Sequence, residues 1–298
     1  MRTTKRITSM VLVLTCLLCI MPVMQAKASA VTIQGGHDAI STAYNWGSYS
    51  KYNSITAKLP AEEKDFWVKF ILPRNNKIYA RCSYNNQYVG MAIEILNSNN
   101  ITIDRDNSLD EVYNDGSVVP FIAAKCDNLT SSTQTFYIHV SRGESFKGNM
   151  YFTISMNDRI RTGHGEFSFS GTAINNGNRP VSLSGRDSSI LTLNLSNDSR
   201  IPQNAIVTLV RTDGSQSPNQ GNVHHMICPA TDSGVWYTST YSSATSGRYN
   251  ISVSDEYHAR QRWQFKYNAQ ATAKSTMSRV KLTLEWEYDI AMTGYKVV

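Results

Sequence analysis

Alternation of apolar and polar residues is the feature of this chain that most constrains its fold. Apolar side chains take every second position in runs such as 66–70, 191–195 and 282–288. A period of two is typical of β-strands with one buried face and one solvated face. Turns rich in asparagine and glycine separate the runs, and no stretch of twelve residues carries a helical apolar stripe. The pattern predicts an all-β protein.

The first thirty residues have the three-part layout of a secretory signal peptide. Three basic residues precede an apolar segment at 10–24, and small residues at 28–30 end it. This predicts a signal peptide over residues 1–30, cleavage after Ala30 and export. The alternative is a retained anchor, but the segment is shorter than the about 20 apolar residues of a membrane helix. No later stretch is apolar enough, so we expect no stable membrane span in the mature chain.

The mature chain, residues 31–298, is longer than one small domain usually is. A polar, glycine-bearing stretch at 158–165 follows a strong strand run and is the predicted boundary. We therefore predict one domain over 31–160 and another over 161–298. Regular short strands with frequent turns favour two consecutive β-sandwiches of jelly-roll or immunoglobulin-like type.

The charge balance argues against a nucleic-acid partner. The chain has 29 Lys and Arg against 23 Asp and Glu, but four of the basic residues and no acidic ones lie in the signal peptide. The mature chain therefore has 25 basic and 23 acidic side chains, a net charge of +2. Phosphate binding requires a basic stripe, and none is present.

Three cysteines remain after cleavage: Cys82, Cys126 and Cys228. Export permits disulfides. Cys82 and Cys126 fall in the same half of the chain, so they are the candidate pair, and Cys228 is left over. The alternative is three buried free thiols, because the sequence does not give the Cα separation that a bridge requires.

Five strand runs in the first half follow one another in a recognisable order. They are 65–70, 77–82, 91–96, 136–140 and 151–154. Over residues 40–158 this order resembles the bacterial pre-peptidase C-terminal domain, although threonine and glutamine fill 133–135, where that family usually has a glycine. The resemblance implies a jelly-roll-like sandwich of the kind attached to secreted hydrolases, with a role in substrate binding or secretion.

The sharpest acidic cluster contains Asp104, Asp106 and Asp110. Alternating aspartates on a loop can supply the oxygen ligands that calcium requires. The segment does not fit an EF-hand, because Leu109 occupies the position of the required glycine and Asp115 that of the bidentate glutamate. A calcium loop of another kind and a solvated loop between strands are the two interpretations, and calcium is the one cofactor that the sequence suggests.

No catalytic motif is present in the sequence. GxSxG and HExxH are both missing. His224 and His225 are adjacent, and on a strand they would point to opposite faces, so joint chelation of a metal with His258 requires that the pair lie in a loop. Cys228 follows closely, but a lone cysteine in a β-protein is more often buried and inert.

Aromatic residues in polar surroundings are the best candidates for recognition. One cluster contains Trp46, Tyr49 and Tyr52, and a second contains Trp236, Tyr237 and Tyr241. Tyrosine and tryptophan give rigid, amphipathic contact surfaces that stack on sugars or bind proteins. The alternative is that these side chains pack against the core or along edge strands.

The sequence therefore predicts a secreted, non-catalytic bacterial protein that binds an extracellular glycan or protein through aromatic loops. One alternative is a secreted hydrolase whose site is assembled from distant strands. The other is a β-rich pore-forming toxin, for which the serine- and threonine-rich stretch at 238–246 gives some support. A membrane hairpin alternates apolar and polar residues over about 9–11 positions, and this stretch lacks the apolar half.

Overall fold

The described part of the chain is built almost entirely from β-strands. The computed structural model describes residues 32–51, 53–109, 119–232, 234–240, 248–253 and 256–295, so the predicted signal peptide lies outside it. Within these ranges the strands form four sheets, and the helical elements are the short 3-10 helices η1 (Ile40–Thr42), η2 (Ala230–Asp232) and η3 (Ile290–Thr293). The described residues include no helix long and apolar enough to span a bilayer. The predicted all-β class with sandwich-like domains is confirmed.

Strands β1 to β10 form two facing sheets, the first sandwich. Their bounds are β1 (Thr32–Ile33), β2 (Tyr44–Ser48), β3 (Ser54–Leu59), β4 (Asp65–Leu72), β5 (Lys77–Ser83), β6 (Ala92–Asn97), β7 (Thr102–Asn107), β8 (Phe121–Asp127), β9 (Gln134–Ser141) and β10 (Met150–Asp158). Sheet A has the order β1-β3-β10-β5-β8, and sheet B has the order β2-β4-β9-β6-β7.

Strands β11 to β20 form the second sandwich. Their bounds are β11 (Ile160–Ser168), β12 (Ala173–Asn175), β13 (Arg186–Asp187), β14 (Leu191–Asn194), β15 (Ile206–Ser217), β16 (Val223–Pro229), β17 (Tyr237–Thr238), β18 (Tyr249–Ile251), β19 (Arg262–Ala269) and β20 (Ser275–Asp289). Sheet C has the order β11-β20-β15-β18, with β12 also paired to β20. Sheet D has the order β13-β19-β16-β17, with β14 also paired to β19.

Alternation along the strands builds the core of the first sandwich. In β4, Phe66, Val68 and Phe70 are fully buried, while Trp67 and Lys69 lie on the outer face. Buried residues of both sheets meet in a single apolar cluster between the sheets. Removal of this apolar surface from water is the main force that holds sheets A and B together.

The second core depends on two glycines that the sequence pattern assigned to a domain boundary. Gly163 and Gly165 lie in β11, beside the buried indole of Trp286 on β20. A Cβ atom on Gly163 would lie 2.5 Å from Trp286 Nε1, and one on Gly165 would lie 3.3 Å from the far edge of the same ring. These glycines therefore make room for an indole within a sheet, and the stretch around them is a strand rather than a linker.

A single residue connects the two sandwiches. Arg159 stands between β10 and β11, and its side chain is only 8 % exposed. Its Nη2 donates to Asp127 Oδ2 of the first sandwich at 2.7 Å, and its Nε lies 3.2 Å from Asp289 Oδ2 of the second. One guanidinium thus forms ion pairs with carboxylates of both halves.

An apolar cluster completes this junction. Tyr79, Phe121 and Ala123 on the outer face of sheet A pack against Ile290 and Tyr295, which follow β20. The rings of Tyr79 and Tyr295 have centroids 4.9 Å apart. The end of the second sandwich is therefore docked on the outer face of sheet A.

The predicted pairing of Cys82 with Cys126 is wrong, because all three cysteines of the mature chain are free and buried. In the register of β5 and β8, Cys126 lies opposite Ile78 and Cys82 lies opposite Ile122. An offset of four residues corresponds to about 13 Å along a strand, far beyond the reach of a disulfide. Burial raises the pKa of both thiols, to about 12 for Cys126, so they remain protonated.

His225 is buried in the core of the second sandwich. Its ring stacks on Tyr249 with centroids 3.8 Å apart, and its Nδ1 lies 2.9 Å from the Thr212 hydroxyl oxygen. Its Nε2 has no hydrogen-bond partner among the described residues. Burial, and to a lesser extent the neighbouring His224, lowers the pKa of His225 to about 3. The ring is therefore neutral in the folded protein near neutral pH.

We predict that Arg159→Gln lowers the free energy of unfolding by about 2–3 kcal/mol, since it leaves two partly buried carboxylates without their cation. Urea unfolding of residues 31–298 followed by tryptophan fluorescence measures this change. The control is Arg200→Gln, because the ion pair of Arg200 with Asp198 is on the surface, with the arginine side chain 66 % exposed. A loss of stability no larger than that of the control would contradict the role of Arg159.

We also predict that the protein loses stability as the pH falls below about 6.5, the ordinary pKa of histidine. Because the pKa of His225 is lowered to about 3 in the folded state, the unfolded state binds more protons between these values. The slope from this one group is at most about 1.4 kcal/mol per pH unit. Unfolding midpoints from pH 7.5 to about 4.5 should fall less steeply in His225→Phe, and the exposed His164→Gln should retain the parent slope.

Candidate functional site

The predicted acidic cluster begins in a strand rather than in a loop. Asp104 and Asp106 lie in β7, the edge strand of sheet B. Asp104 Oδ2 accepts a hydrogen bond from the Lys125 N–H at 2.8 Å, and Asp106 Oδ2 accepts one from the Ala123 N–H at 2.9 Å. Both donors lie on β8, the edge strand of sheet A. The two carboxylates therefore join the sandwich along one side by satisfying N–H groups at a sheet edge.

The interpretation of Asp104 and Asp106 as loop residues is wrong for this physical reason. Their carboxylates need the extended backbone of β7 to reach β8, and Asp106 is 7 % exposed. Asp110 lies outside the described residues. Within the described ranges no three His, Cys, Asp or Glu side chains are grouped as metal ligands. Calcium binding by Asp104, Asp106 and Asp110 stays a prediction.

The first predicted aromatic cluster is half-buried. Trp46 lies in β2 and Tyr49 follows it, and both pack against the core of the first sandwich. The Tyr49 hydroxyl donates to Asp158 Oδ1 at 2.6 Å, and Lys51 Nζ lies 2.8 Å from the other carboxylate oxygen. These contacts attach β2 and its following turn to β10. A recognition role for Trp46 and Tyr49 stays a prediction, and Tyr52 lies outside the described residues.

The second predicted aromatic cluster divides between core and surface. Tyr237 in β17 packs against the second core, and its hydroxyl is hydrogen-bonded to that of Tyr257. Trp236, the preceding residue, lies over a lysine on the outer face of sheet D. Tyr241 lies outside the described residues. Among the described residues of this cluster, Trp236 is the one that lies on the surface. Its partners there suit a binding site.

Trp236 covers an ion pair on sheet D. The Lys266 ammonium lies 4.2 Å from the centroid of the Trp236 ring and 2.6 Å from Asp187 Oδ2. Asn268 donates from Nδ2 to Asp187 Oδ1 at 2.7 Å. Lys266 and Asn268 point outward because the alternate residues of β19 fill the core. We call Trp236, Lys266, Asp187 and Asn268 the Trp236 patch.

The electrostatics of the Trp236 patch leave one carboxylate charged and accessible. Burial raises the pKa of Asp187, but the hydrogen bonds from Lys266 and Asn268 outweigh it, and the net pKa lies below the ordinary value. The side chain of Asp187 is 41 % exposed, against 14 % for Lys266. Burial lowers the pKa of His224, which lies near Asp187 on this face. At neutral pH the patch therefore contains a balanced ion pair beside a flat ring.

A further aromatic cluster lies on sheet B and was not predicted from the sequence. Trp67 on β4 and His139 on β9 are cross-strand partners whose rings stack, with centroids 4.1 Å apart and planes at 9°. His139 Nε2 lies 2.7 Å from Asp65 Oδ1, and Nδ1 lies 3.4 Å from Glu94 Oε2. We call these four residues the Trp67 patch. The available signal was a tryptophan in the polar phase of a strongly alternating strand.

The arrangement around His139 does not suit general-base catalysis. Each ring nitrogen faces a carboxylate oxygen, and both can donate at once only in the imidazolium form. A histidine that activates a nucleophile needs a nitrogen that is free to accept a proton. What both patches offer is a flat ring with exposed hydrogen-bonding groups.

No family model matches the chain. Among curated proteins, the uncharacterized protein YbdN of Bacillus subtilis (strain 168) is 43 % identical to it over 266 residues, which cover 89 % of this chain and 91 % of YbdN. The chain belongs to the YbdN family. Because YbdN itself is uncharacterized, membership of the YbdN family assigns no activity.

Similarity to solved structures is weak. A presumed secreted protein from Eubacterium rectale is 12 % identical, with a TM-score of 0.38, over 78 % of this chain and 74 % of that one. The pre-peptidase C-terminal domain of Bacillus anthracis collagenase is 12 % identical, with a TM-score of 0.29, over 39 % of this chain and 94 % of that domain. At these scores the resemblance to the pre-peptidase C-terminal family remains loose, and neither structure informs function.

We predict that Asp106→Asn lowers the free energy of unfolding by about 1–3 kcal/mol, because both carboxylate oxygens of Asp106 accept backbone hydrogen bonds, from Asn107 and from Ala123 on β8, whereas asparagine has one acceptor oxygen. Urea unfolding measures the change, with the exposed Glu62→Gln of the same sandwich as the control. Equal midpoints for both variants would contradict the bridging role of Asp106. The same curves with added calcium chloride test the calcium prediction, which requires an upward shift of the parent midpoint.

Proposed function

We propose that this member of the YbdN family is exported and binds an extracellular glycan through the Trp236 patch, without converting it. The observation that carries the proposal is the Trp236 ring held over Lys266, beside the exposed carboxylate of Asp187. An indole presents a flat apolar surface suited to the CH-bearing face of a sugar ring. Carboxylate oxygens accept hydrogen bonds from the hydroxyl groups around such a ring.

The ion pair beneath the ring favours binding because it limits the motion of the indole. A cation near the face of tryptophan is attracted by the ring quadrupole. Asp187 holds that cation in place, and Asn268 holds Asp187. A ring that is ordered before the ligand arrives loses little conformational freedom on binding.

The charge of the patch favours neutral glycans over acidic ones. Lys266 and Asp187 neutralise each other, and the more exposed member of the pair is the carboxylate. An anionic polysaccharide would be repelled by this carboxylate, because Lys266 is already paired with it. We therefore expect polymers of neutral hexoses or N-acetylhexosamines as ligands.

Export is supported by the layout of residues 1–30, with basic residues, an apolar segment and small residues in order. An extracellular location would place both sandwiches where glycans of cell surfaces are accessible. The arrangement of His139 between two carboxylates supports binding rather than hydrolysis at the Trp67 patch.

We predict that Trp236→Ala weakens glycan binding at the Trp236 patch about ten-fold or more, since a buried aromatic contact contributes about 1.5–3 kcal/mol. A glycan array probed with residues 31–298 identifies ligands, and calorimetric titration of the neutral ligands gives affinities. Trp236→Phe should retain part of the affinity, because a smaller flat ring remains.

The control is Tyr151→Ala, which removes a 52 % exposed aromatic residue from the outer face of sheet A. It should bind like the parent chain. Unchanged binding in Trp236→Ala, or a preference for anionic glycans, would contradict the proposal. Absence of binding to every glycan would replace it with the protein partner that the sequence left open.

A further inference from the structure

We infer that the Trp67 patch is a second glycan-binding surface, and that the protein therefore cross-links two glycan chains rather than gripping one. This inference rests on the proposed function of the Trp236 patch and extends it to the other sandwich. The two patches lie on different sheets of different sandwiches, sheet B and sheet D.

The Trp67 patch has the same chemical composition as the Trp236 patch. In each, one face of an indole contacts a basic group, which is His139 for Trp67 and Lys266 for Trp236. In each, a carboxylate oxygen of a half-exposed aspartate holds that basic group, at 2.7 Å for Asp65 and 2.6 Å for Asp187. Both patches thus combine an oriented ring with hydrogen-bond acceptors.

Glu94 adds a further acceptor to the Trp67 patch. It lies across β9 from Trp67, with His139 between them in the register of β4, β9 and β6. The imidazole that stacks on Trp67 is therefore flanked by two carboxylates, with Asp65 39 % exposed and Glu94 28 % exposed. Two acceptors beside one ring suit the hydroxyl groups on neighbouring carbons of a neutral sugar.

The position of sheet B directs the Trp67 patch away from the second sandwich. Sheet A, the other layer of the first sandwich, carries the docking contacts of Tyr79 and Phe121 with Tyr295. Trp67 and His139 point outward from sheet B, because their neighbours Phe66 and Val140 face the core. The thickness of the first sandwich, with sheets about 10 Å apart, thus separates the Trp67 patch from the junction.

The junction prevents the two patches from turning toward each other. Arg159 is the one residue between β10 and β11, and its ion pairs with Asp127 and Asp289 join the sandwiches beside the apolar cluster of the junction. A short oligosaccharide bound at the Trp67 patch would have to pass around the first sandwich to reach Trp236. Independent occupation of two surfaces that are fixed apart joins separate polymers, and avidity then depends on the density of the glycan coat.

The test uses residues 31–298 with chitohexaose and cellohexaose as neutral probes. Calorimetric titration should give two hexaoses per parent chain and one for Trp67→Ala or Trp236→Ala. Parent protein captured on hexaose-coated beads should retain fluorescent hexaose from solution, whereas either variant should retain at least ten-fold less. Asp65→Asn is a milder variant that keeps the ring and should weaken the Trp67 patch alone, and Tyr151→Ala should behave like the parent.

The outcomes separate this inference from the proposed function. One hexaose per parent chain, lost in Trp236→Ala and unaffected in Trp67→Ala, would overturn the second surface and leave the proposed function intact. Binding lost in Trp67→Ala but unchanged in Trp236→Ala would support the Trp67 patch and overturn both cross-linking and the role of Trp236. No binding of either hexaose to the folded parent chain would overturn both proposals for these neutral glycans.

Discussion

The ion pairs of Arg159 determine how the two halves of this molecule are arranged. A nearly buried guanidinium is costly unless it is neutralised, and here Asp127 and Asp289 contribute from opposite sandwiches. Asp289 also caps η3, which brings Ile290 and Tyr295 against sheet A. The junction covers part of the outer face of sheet A, and neither the Trp67 patch on sheet B nor the Trp236 patch on sheet D takes part in it.

The Trp67 and Trp236 patches use different residues to hold an indole in place on the outer face of a sheet. An indole on the outer face of a sheet is mobile and costly to order unless something packs on it. Lys266 and His139 each cover one face of a ring, and a carboxylate holds each of them in turn. The carboxylates of Asp187 and Asp65 stay accessible, so a rigid surface is obtained without a deep pocket. Such shallow surfaces suit long, extended ligands better than small molecules.

Local patterning predicted the strands but not their neighbours. The alternation of Phe66, Val68 and Phe70 correctly predicted a strand and its buried face. The bridge from Asp106 to β8, the space for Trp286 over Gly163, and the separation of Cys82 from Cys126 all depend on register between distant segments. Register is set by how whole faces fit together, and a single sequence does not contain that information in a local form.

The phase of a tryptophan within its strand is therefore more informative than its polar surroundings. Trp46 sits in a polar, tyrosine-rich segment, yet it packs on the core because its strand turns that side chain inward. Trp67 sits between buried phenylalanine and valine, and the period of two places it outside. Its ring lies on the outer face of the sheet as a direct consequence of the burial of its neighbours, and His139 then holds it in one orientation. The strongest alternation in the chain thus fixes both a core and a candidate binding surface.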